Sequence, residues 1–196
     1  EKNTAKHINF SEWNDIINSD DTLLIDVRNN FENKMGAFQK AINPLTKNFS
    51  EFKRYVDNVL SKNKKKKIAM YCTGGIRCEK ASSYMISKGF ENLYQLKGGI
   101  LKYLENTSVK KSLWNGECFV FDNRVSVKNE LAEGTYKICH ACRIPLSQDD
   151  CKSEKFVEGI SCINCYGKIS DKKKYGLKER NKQIQISKKK AYTIHI

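Results

Sequence analysis

Residues 72–78, which read CTGGIRC, have the composition and spacing needed to ionise a thiol. They follow an apolar run at 68–71 that is typical of a buried strand, and they precede a stretch typical of a helix. Two glycines let the backbone N–H groups turn inward, while the helix N-terminus and the arginine add positive charge. Such surroundings lower a cysteine pKa from about 8.5 to roughly 3.5–7.5. We therefore expect Cys72 to be a nucleophilic thiolate near neutral pH.

The second cysteine of this segment allows two interpretations. Cys78 directly follows the arginine, so it is placed to act as a resolving thiol toward an oxidised or persulfidated Cys72. It also lies on the same helical face as Ala81 and Met85, where a thiol packs as a small apolar group. Packing is the interpretation that the pattern favours.

The elements around the segment predict an α/β fold. The predicted elements are a short helix with Ser11 as its N-cap, a strand at 22–27, a helix at 49–60, a strand at 68–71, a helix at 77–89, a strand at 92–96 and a helix at 99–106. Alternating strands and helices predict a parallel sheet with helices on both faces. Sites in such sheets form at the carboxyl ends of the strands, where Cys72 falls. Residues 114–121 and 124–127 then read as a β-hairpin.

Two Cys-x-x-Cys pairs in the second half of the chain predict a metal site. The candidate ligands are Cys139, Cys142, Cys162 and Cys165. Four thiolates at this spacing suit a tetrahedral, closed and therefore structural zinc ion. The alternatives are four reduced cysteines without metal, or a pair of labile disulfides. Cys118 and Cys151 are interpreted as residues that do not bind the metal, and Cys118 as a packed thiol.

The charge of the chain points to a polyanionic partner. The net charge is +14 over 196 residues, with 39% hydrophobic and 30% charged residues. Ten Lys or Arg residues against two acidic residues give residues 166–196 a charge of +8, so the first 165 carry 14 − 8 = +6. Nucleic acid and anionic membranes attract such a chain. The apolar runs are too short for a transmembrane helix, and eight cysteines without a secretory signal favour the cytoplasm.

Composition also predicts a division of the chain. We expect a globular domain at 1–108, a linker and hairpin at 109–130, a cysteine-rich segment at 131–170 and a basic tail at 171–196. The tail has little apolar periodicity, which favours partial disorder in the absence of a partner.

Several landmarks resemble the rhodanese family of sulfurtransferase domains. Four residues separate Cys72 from Arg77, as in the rhodanese active-site loop. The other landmarks, in the family's order, are Leu23-Leu24-Ile25-Asp26-Val27-Arg28, Ala41-Ile42-Asn43-Pro44 and the Gly98-Gly99 turn. The resemblance implies a rhodanese-like domain in which Thr73, Gly74, Gly75, Ile76 and Arg77 form an anion-cradling loop.

The exact strings narrow the resemblance to the bacterial tRNA uridine(34) hydroxylase family. They are CTGGIRCEKA, NGECFVFDNRV and the two Cys-x-x-Cys pairs with their flanks. This family uses dioxygen to convert the wobble uridine of certain tRNAs to 5-hydroxyuridine. The resemblance implies that Cys72 is the reactive residue, that the anticodon region of tRNA is the partner and that dioxygen is a co-substrate. The family's amino-terminal ferredoxin-like domain is absent here, which favours a fragment.

The chemistry of Cys72 is open at this stage. Its thiolate could attack C6 of uracil and make C5 nucleophilic, or a persulfide or sulfenate of Cys72 could take part in oxygen delivery. The chain has no recognisable flavin, haem or 2-His-1-carboxylate signature. Two other functions compete with the hydroxylase. One is a sulfurtransferase that uses the same loop, and the other is a non-catalytic RNA-binding module.

Overall fold

The computed structural model describes residues 4–193, which form two compact units, one ending at Gly134 and the other beginning at Thr135. The strands of the first unit are β1 (Lys6–Ile8), β2 (Thr22–Asp26), β3 (Gly36–Phe38), β4 (Lys67–Tyr71), β5 (Leu93–Leu96), β6 (Trp114–Gly116), β7 (Cys118–Phe119) and β8 (Ser126–Val127). Its α-helices are α1 (Phe10–Asn18), α2 (Asn30–Met35), α3 (Phe49–Asn58), α4 (Ile76–Ser87) and α5 (Gly99–Asn106). The second unit contains β9 (Lys137–Ile138), β10 (Pro145–Leu146) and α6 (Asp171–Thr193). Short 3-10 helices lie at Leu60–Asn63, Val109–Lys111, Asn129–Leu131 and Asp150–Lys152.

A four-stranded parallel sheet in the order β1-β5-β4-β2 organises the first unit. Central strand β4 is buried on both faces. Ile68 and Met70 pack into one apolar cluster, and the intervening Ala69 and Tyr71 pack into the other. This alternation is the period of two that a strand imposes on its side chains. The predicted α/β fold with a parallel sheet is confirmed.

Helices cover both faces of this sheet. Trp13 of α1 and Ile100 of α5 belong to one cluster, while Phe52 of α3 and Met85 of α4 belong to the other. Each pair of helices therefore covers a different face. The predicted start of α1 is wrong, because the residue that caps the helix is Asn9 and not Ser11.

The predicted hairpin is only partly correct. Strands β7 and β8 pair antiparallel, but β6 pairs with β3 instead of joining them. The reason lies at Gly116, which has a φ of 86° and approaches Met35 so closely that a Cβ would lie 2.3 Å from the Met35 carbonyl oxygen. The chain turns there, and the segment before the turn leaves the hairpin.

The second unit has a small core around its cysteines. Leu146 and Leu177 pack against Cys139, Cys162 and Cys165. The expected partial disorder of the basic tail is not what the structure has, because Asp171–Thr193 is helical. Leu177 anchors this helix, and its many Lys, Arg, Glu and Gln residues are good helix formers.

None of the helices in the described part of the chain combines the length and hydrophobicity that crossing a bilayer requires. The finer division of the chain into four segments remains a prediction.

Candidate active site

Cys72 lies directly after β4, at the carboxyl edge of the parallel sheet, and is only 1% exposed. The backbone N–H of Gly75 donates to its Sγ atom at 3.1 Å. Gly75 adopts a φ of 98° as the residue before α4, a conformation that favours glycine. The loop therefore folds back on the sulfur atom, with Gly74 and Ile76 turned toward solvent.

The surroundings of Cys72 lower its pKa to about 6. The largest cause is a hydrogen bond from the Cys78 thiol; the backbone N–H of Cys78 and the charge of Arg77 act in the same direction, against the effect of burial. Cys72 is therefore mostly a thiolate at pH 7.

Cys78 itself is fully buried on the first turn of α4. Burial, together with the neighbouring Cys72, raises the pKa of Cys78 well above its ordinary value. This thiol therefore stays protonated and can donate to the Cys72 sulfur. Of the two interpretations offered by the sequence, packing fits the burial, and the hydrogen bond adds an electrostatic role that neither included. A resolving role remains a prediction.

Arg77 is paired with a carboxylate that the sequence analysis missed. Its guanidinium donates to both oxygens of Glu32, at 2.6 and 2.8 Å. The same guanidinium donates to the Thr73 hydroxyl oxygen at 3.0 Å, and this hydroxyl donates to Glu32 at 3.3 Å. Sequence analysis assigned the ionisation of Cys72 mainly to Arg77 and the helix N-terminus. The pairing with Glu32 offsets part of the arginine charge, and Cys78 contributes more.

Glu32 is held in place by the helix on which it lies. Its carboxylate accepts from the Asn29 N–H at 3.1 Å, and the two residues form a capping box at the start of α2. The Asn-x-x-Glu spacing at 29–32 is a sequence signal for this helix start. Its contact with Arg77 joins residues 45 positions apart, and no local pattern reports such a contact.

The glycine turn before α5 fixes the other side of the loop. The N–H groups of Ile100 and Leu101 donate to the carbonyl oxygens of Cys72 and Thr73, at 3.0 and 3.1 Å. Gly99 has a φ of 65°, and a Cβ at this position would lie 2.5 Å from each of these two carbonyl oxygens. Only glycine allows this close approach, which explains the Gly-Gly landmark in the sequence.

A buried ion pair supports the sheet beneath the loop. Arg28 is fully buried and donates twice to Asp26, at 2.9 and 2.6 Å. The Tyr71 hydroxyl donates to the same carboxylate at 3.0 Å, next to Cys72 in sequence. The Asp-x-Arg landmark therefore stabilises the end of β4 from which Cys72 projects.

A groove of about 700 Å³ begins at Ile76 and runs between α3 and α4. Ile76 is 70% exposed at the end nearest the loop. Lys53 lies over the rings of both Phe49 and Tyr84, at 5.8 and 5.0 Å from the ring centroids. The groove combines positive charge with aromatic surface, the two features of single-stranded nucleic acid sites.

The four cysteines of the second unit converge on one point. Their Sγ atoms all lie within 4.8 Å of one another. The Cys139–Cys165, Cys142–Cys162 and Cys162–Cys165 sulfur pairs are 3.8, 3.6 and 3.7 Å apart. Four sulfurs at about 2.3 Å from a tetrahedral zinc ion are about 3.8 Å from each other. The cluster could hold a metal ion, and its dimensions fit zinc.

The family described as rhodanese-like domain matches residues 10–106. This segment contains the parallel sheet, Glu32 and the whole Cys72 loop. Residues 10–106 form a rhodanese-like domain.

One curated relative extends the likeness beyond this domain. The chain is 52% identical over 183 residues to the tRNA uridine(34) hydroxylase of Pelagibacter ubique, an alignment that covers 93% of this chain. The chain spans 60% of the length of that relative. The resemblance of the sequence to this family is confirmed.

Solved structures of rhodanese-like proteins are similar at low sequence identity. The rhodanese-like domain of an Anabaena protein is 17% identical, with a TM-score of 0.47, over 58% of this chain and 80% of its own. A human single-domain sulfurtransferase is 20% identical, with a TM-score of 0.45, over 53% of this chain and 99% of its own.

Proposed function

We propose that this chain is the rhodanese-containing part of a tRNA uridine(34) hydroxylase, an oxidoreductase that converts the wobble uridine of tRNA to 5-hydroxyuridine. The observation that carries the proposal is the 52% identity to a protein of that name over 93% of this chain. A shared rhodanese-like domain alone would favour a sulfurtransferase equally. The identity also extends over the second unit, which a single rhodanese-like domain does not contain.

In this proposal Cys72 is the catalytic residue. A pKa of about 6 supplies a thiolate at neutral pH without a separate general base. Addition of the thiolate to C6 of uracil forms a C–S bond and moves the ring electrons toward C5 and O4, which makes C5 nucleophilic. The N–H groups and the Arg77 side of the loop hold the thiolate in position. Dioxygen, the co-substrate of the family, supplies the oxygen atom that bonds to C5, and an external two-electron donor reduces its second oxygen atom to water. Loss of the C5 proton and cleavage of the C6–S bond then restore the uracil ring and release the Cys72 thiolate.

We also propose that the four cysteines of the second unit hold a structural zinc ion. Cys139, Cys142, Cys162 and Cys165 fill all four tetrahedral positions, so a metal ion bound there has no open site for substrate. Its role would be to stabilise a unit whose core is small.

The anticodon region of tRNA is the proposed partner. The charge of +14 favours a polyanion, and the groove beside Ile76 combines lysines with aromatic rings. With tRNA as its substrate, the protein would act in the cytoplasm, and this location is part of the proposal.

The decisive experiment is mass spectrometry of wobble uridine in tRNA from a deletion strain. The strain carries the full-length gene either unchanged, with Cys72→Ser, or with Cys151→Ser as the matched control. We expect the unchanged gene and the control to restore 5-hydroxyuridine, and Cys72→Ser to restore none.

Two outcomes would contradict the proposal. Full restoration by Cys72→Ser would point to a different catalytic residue or to a binding module. A deletion strain that keeps its 5-hydroxyuridine but loses thiosulfate turnover would point to a sulfurtransferase.

A further inference from the structure

Three phenylalanine rings form a continuous edge-to-face stack that starts on α2. Phe31 and Phe119 have ring centroids 5.2 Å apart at 82°, and Phe119 and Phe121 have centroids 4.9 Å apart at 83°. Phe31 is partly buried and Phe119 is 8% exposed, whereas Phe121 is 75% exposed. The stack therefore runs from partly buried and buried rings to a ring in solvent.

The inner end of this stack lies on α2, the helix that carries Glu32 of the proposed active site. Phe31 directly precedes Glu32, whose carboxylate holds Arg77 and Thr73 of the loop. Strand β7, which carries Phe119, packs against α2, and the charges of Glu32 and Arg77 act on the neighbouring Cys118 thiol. The stack thus leads in two ring contacts from α2 to Phe121, where an exposed ring can meet a substrate that extends beyond the reacting base.

The turn that carries Phe121 is well ordered by hydrogen bonds. The Val120 N–H donates to the Val125 carbonyl at 2.9 Å, and Asp122 accepts from the Arg124 N–H at 3.0 Å. The Arg124 guanidinium also pairs with Asp122 at 2.6 Å. These bonds order the backbone on both sides of Phe121, and the edge contact from Phe119 supports the Phe121 ring.

An exposed ring that is already supported by a neighbouring ring loses little conformational entropy when it binds a flat partner. Without such a partner, a phenylalanine would be expected in the core, because burying a large apolar side chain is favourable. Nucleobases stack on aromatic rings irrespective of their sequence. Loop nucleotides in RNA are recognised mainly in this way, with the bases splayed apart.

We propose that Phe121 is a stacking platform for the nucleobase next to the target uridine. This inference rests on the proposed function for the identity of the RNA, and it adds a substrate-binding residue outside the Cys72 loop. The unit that carries Phe121 is positively charged: up to Gly134 it has 22 Lys or Arg residues against 16 Asp or Glu residues. This charge favours RNA over an apolar protein as the partner of the exposed ring.

The test measures equilibrium binding of a synthetic anticodon stem-loop RNA that carries the target uridine, over a series of salt concentrations. We expect Phe121→Ala to weaken binding roughly ten-fold or more, as for the loss of one stacked base. Phe121→Trp keeps the ring and should retain the affinity, whereas Phe121→Leu, which keeps only the apolar bulk, should not. Val59→Ala, at a valine that is 53% exposed elsewhere in the unit, is the matched control and should bind as the unchanged chain does.

Two further measurements separate stacking from charge and from folding. The slope of log affinity against log salt should be the same for Phe121→Ala and the unchanged chain, because no phosphate contact is lost. Two further RNAs each carry an abasic site, one on the 5′ side and one on the 3′ side of the uridine. The RNA that lacks the stacked base should bind weakly to the unchanged chain, and Phe121→Ala should weaken its binding no further.

Equal affinity of Phe121→Ala and the unchanged chain would overturn the inference, as would full affinity of Phe121→Leu. It would also be overturned if Phe121→Ala lowered the affinity for the intact RNA and for both abasic RNAs by the same factor. A chain that binds no RNA would overturn it as well. These readouts do not depend on hydroxylation. RNA binding through Phe121 without any hydroxylated uridine in tRNA would refute the proposed function and leave the platform standing.

Discussion

The reactivity of Cys72 depends on several groups, and the sequence predicts only some of their contacts. The strand, the glycine loop and the arginine are contiguous, so local patterns predict the position of the thiolate. The role of Cys78 as a hydrogen-bond donor depends on the curvature of the loop, which returns that residue to Cys72. The pairing of Arg77 with Glu32 depends on the fold of α2 against the loop. Neither contact has a signal in the spacing of residues.

The first prediction concerns the thiol that donates to Cys72. Replacing Cys78 with Ala removes the largest cause of the low pKa, so the pKa of Cys72 should rise from about 6 toward its ordinary value. The reactive species is the thiolate, so alkylation of Cys72 at pH 6–7 should slow, while the rates above pH 9 should converge. Iodoacetamide labelling across pH, read by peptide mass spectrometry, measures this.

Cys118→Ala is the matched control, because Cys118 is a thiol that is equally buried. It should leave the pH profile of Cys72 unchanged, and Cys78→Ser should retain part of the lowered pKa because its hydroxyl still donates. An unchanged profile in Cys78→Ala would show that the loop N–H groups and Arg77 are sufficient.

At the scale of elements, the sequence predicts the strands and helices of the main sheet but not how short segments pair. Strand β4 carries a continuous apolar run, and helix α3 carries clear apolar periodicity. Strands β3 and β6 have three residues each, too few for a period to be recognised. Their pairing follows from the close approach of Gly116 and Met35, a contact that only the folded chain defines.

The second prediction tests the contact between the α5 turn and the loop. Gly99→Ala would force a left-handed residue with a side chain against the Cys72 and Thr73 carbonyls, and it should lower the stability of the unit by about 2–4 kcal/mol. Gly74→Ala, in the Cys72 loop that this turn contacts, is the matched control, because a Cβ added there would have no other atom within 4 Å. Thermal unfolding should give a lower Tm for the first variant alone. Equal Tm values would mean that the turn adapts to a side chain.

The third prediction concerns the four-cysteine cluster. Protein prepared without chelators should contain about one zinc ion per chain, and Cys162→Ser should reduce this content sharply because three thiolates remain. Cys151→Ser, at a cysteine outside the cluster, should keep its zinc. Elemental analysis measures both.

Chelation should make residues 135–165 sensitive to protease while the circular dichroism of the sheet persists. Absence of zinc from the unchanged protein would refute the proposed metal site.

The whole molecule is dominated by positive charge. The charge predicts a polyanionic partner from composition alone, yet it does not indicate which lysines contact that partner. The structure has a helix where the tail was expected to be partly disordered. Apolar periodicity is a poor guide to a helix that buries only Leu177 among residues 171–187, whose side chains the structure describes, and that is rich in Lys, Arg, Glu and Gln.

The fourth prediction assigns phosphate contacts to helix α6. Replacing the exposed Lys172, Lys173 and Lys174 with Gln should weaken tRNA binding and reduce the slope of log affinity against log salt by about 2 to 3, if each lysine neutralises one phosphate. Replacing the exposed Lys64, Lys65 and Lys66 removes the same charge at the amino end of β4, away from Cys72, and should change the slope little. Equal slopes for the two triple variants would assign the binding to net charge and not to α6.

The hydrogen bonds from Ile100 and Leu101 to the backbone of the Cys72 loop restrain that loop. A loop bonded to α5 on one side and to Glu32 on the other resists moving aside to admit a substrate. If uridine in tRNA is the substrate, as proposed, the base must unstack and rotate into this preformed loop. Anticodon loops stiffened by locked sugars should then react slowly, however tightly they bind.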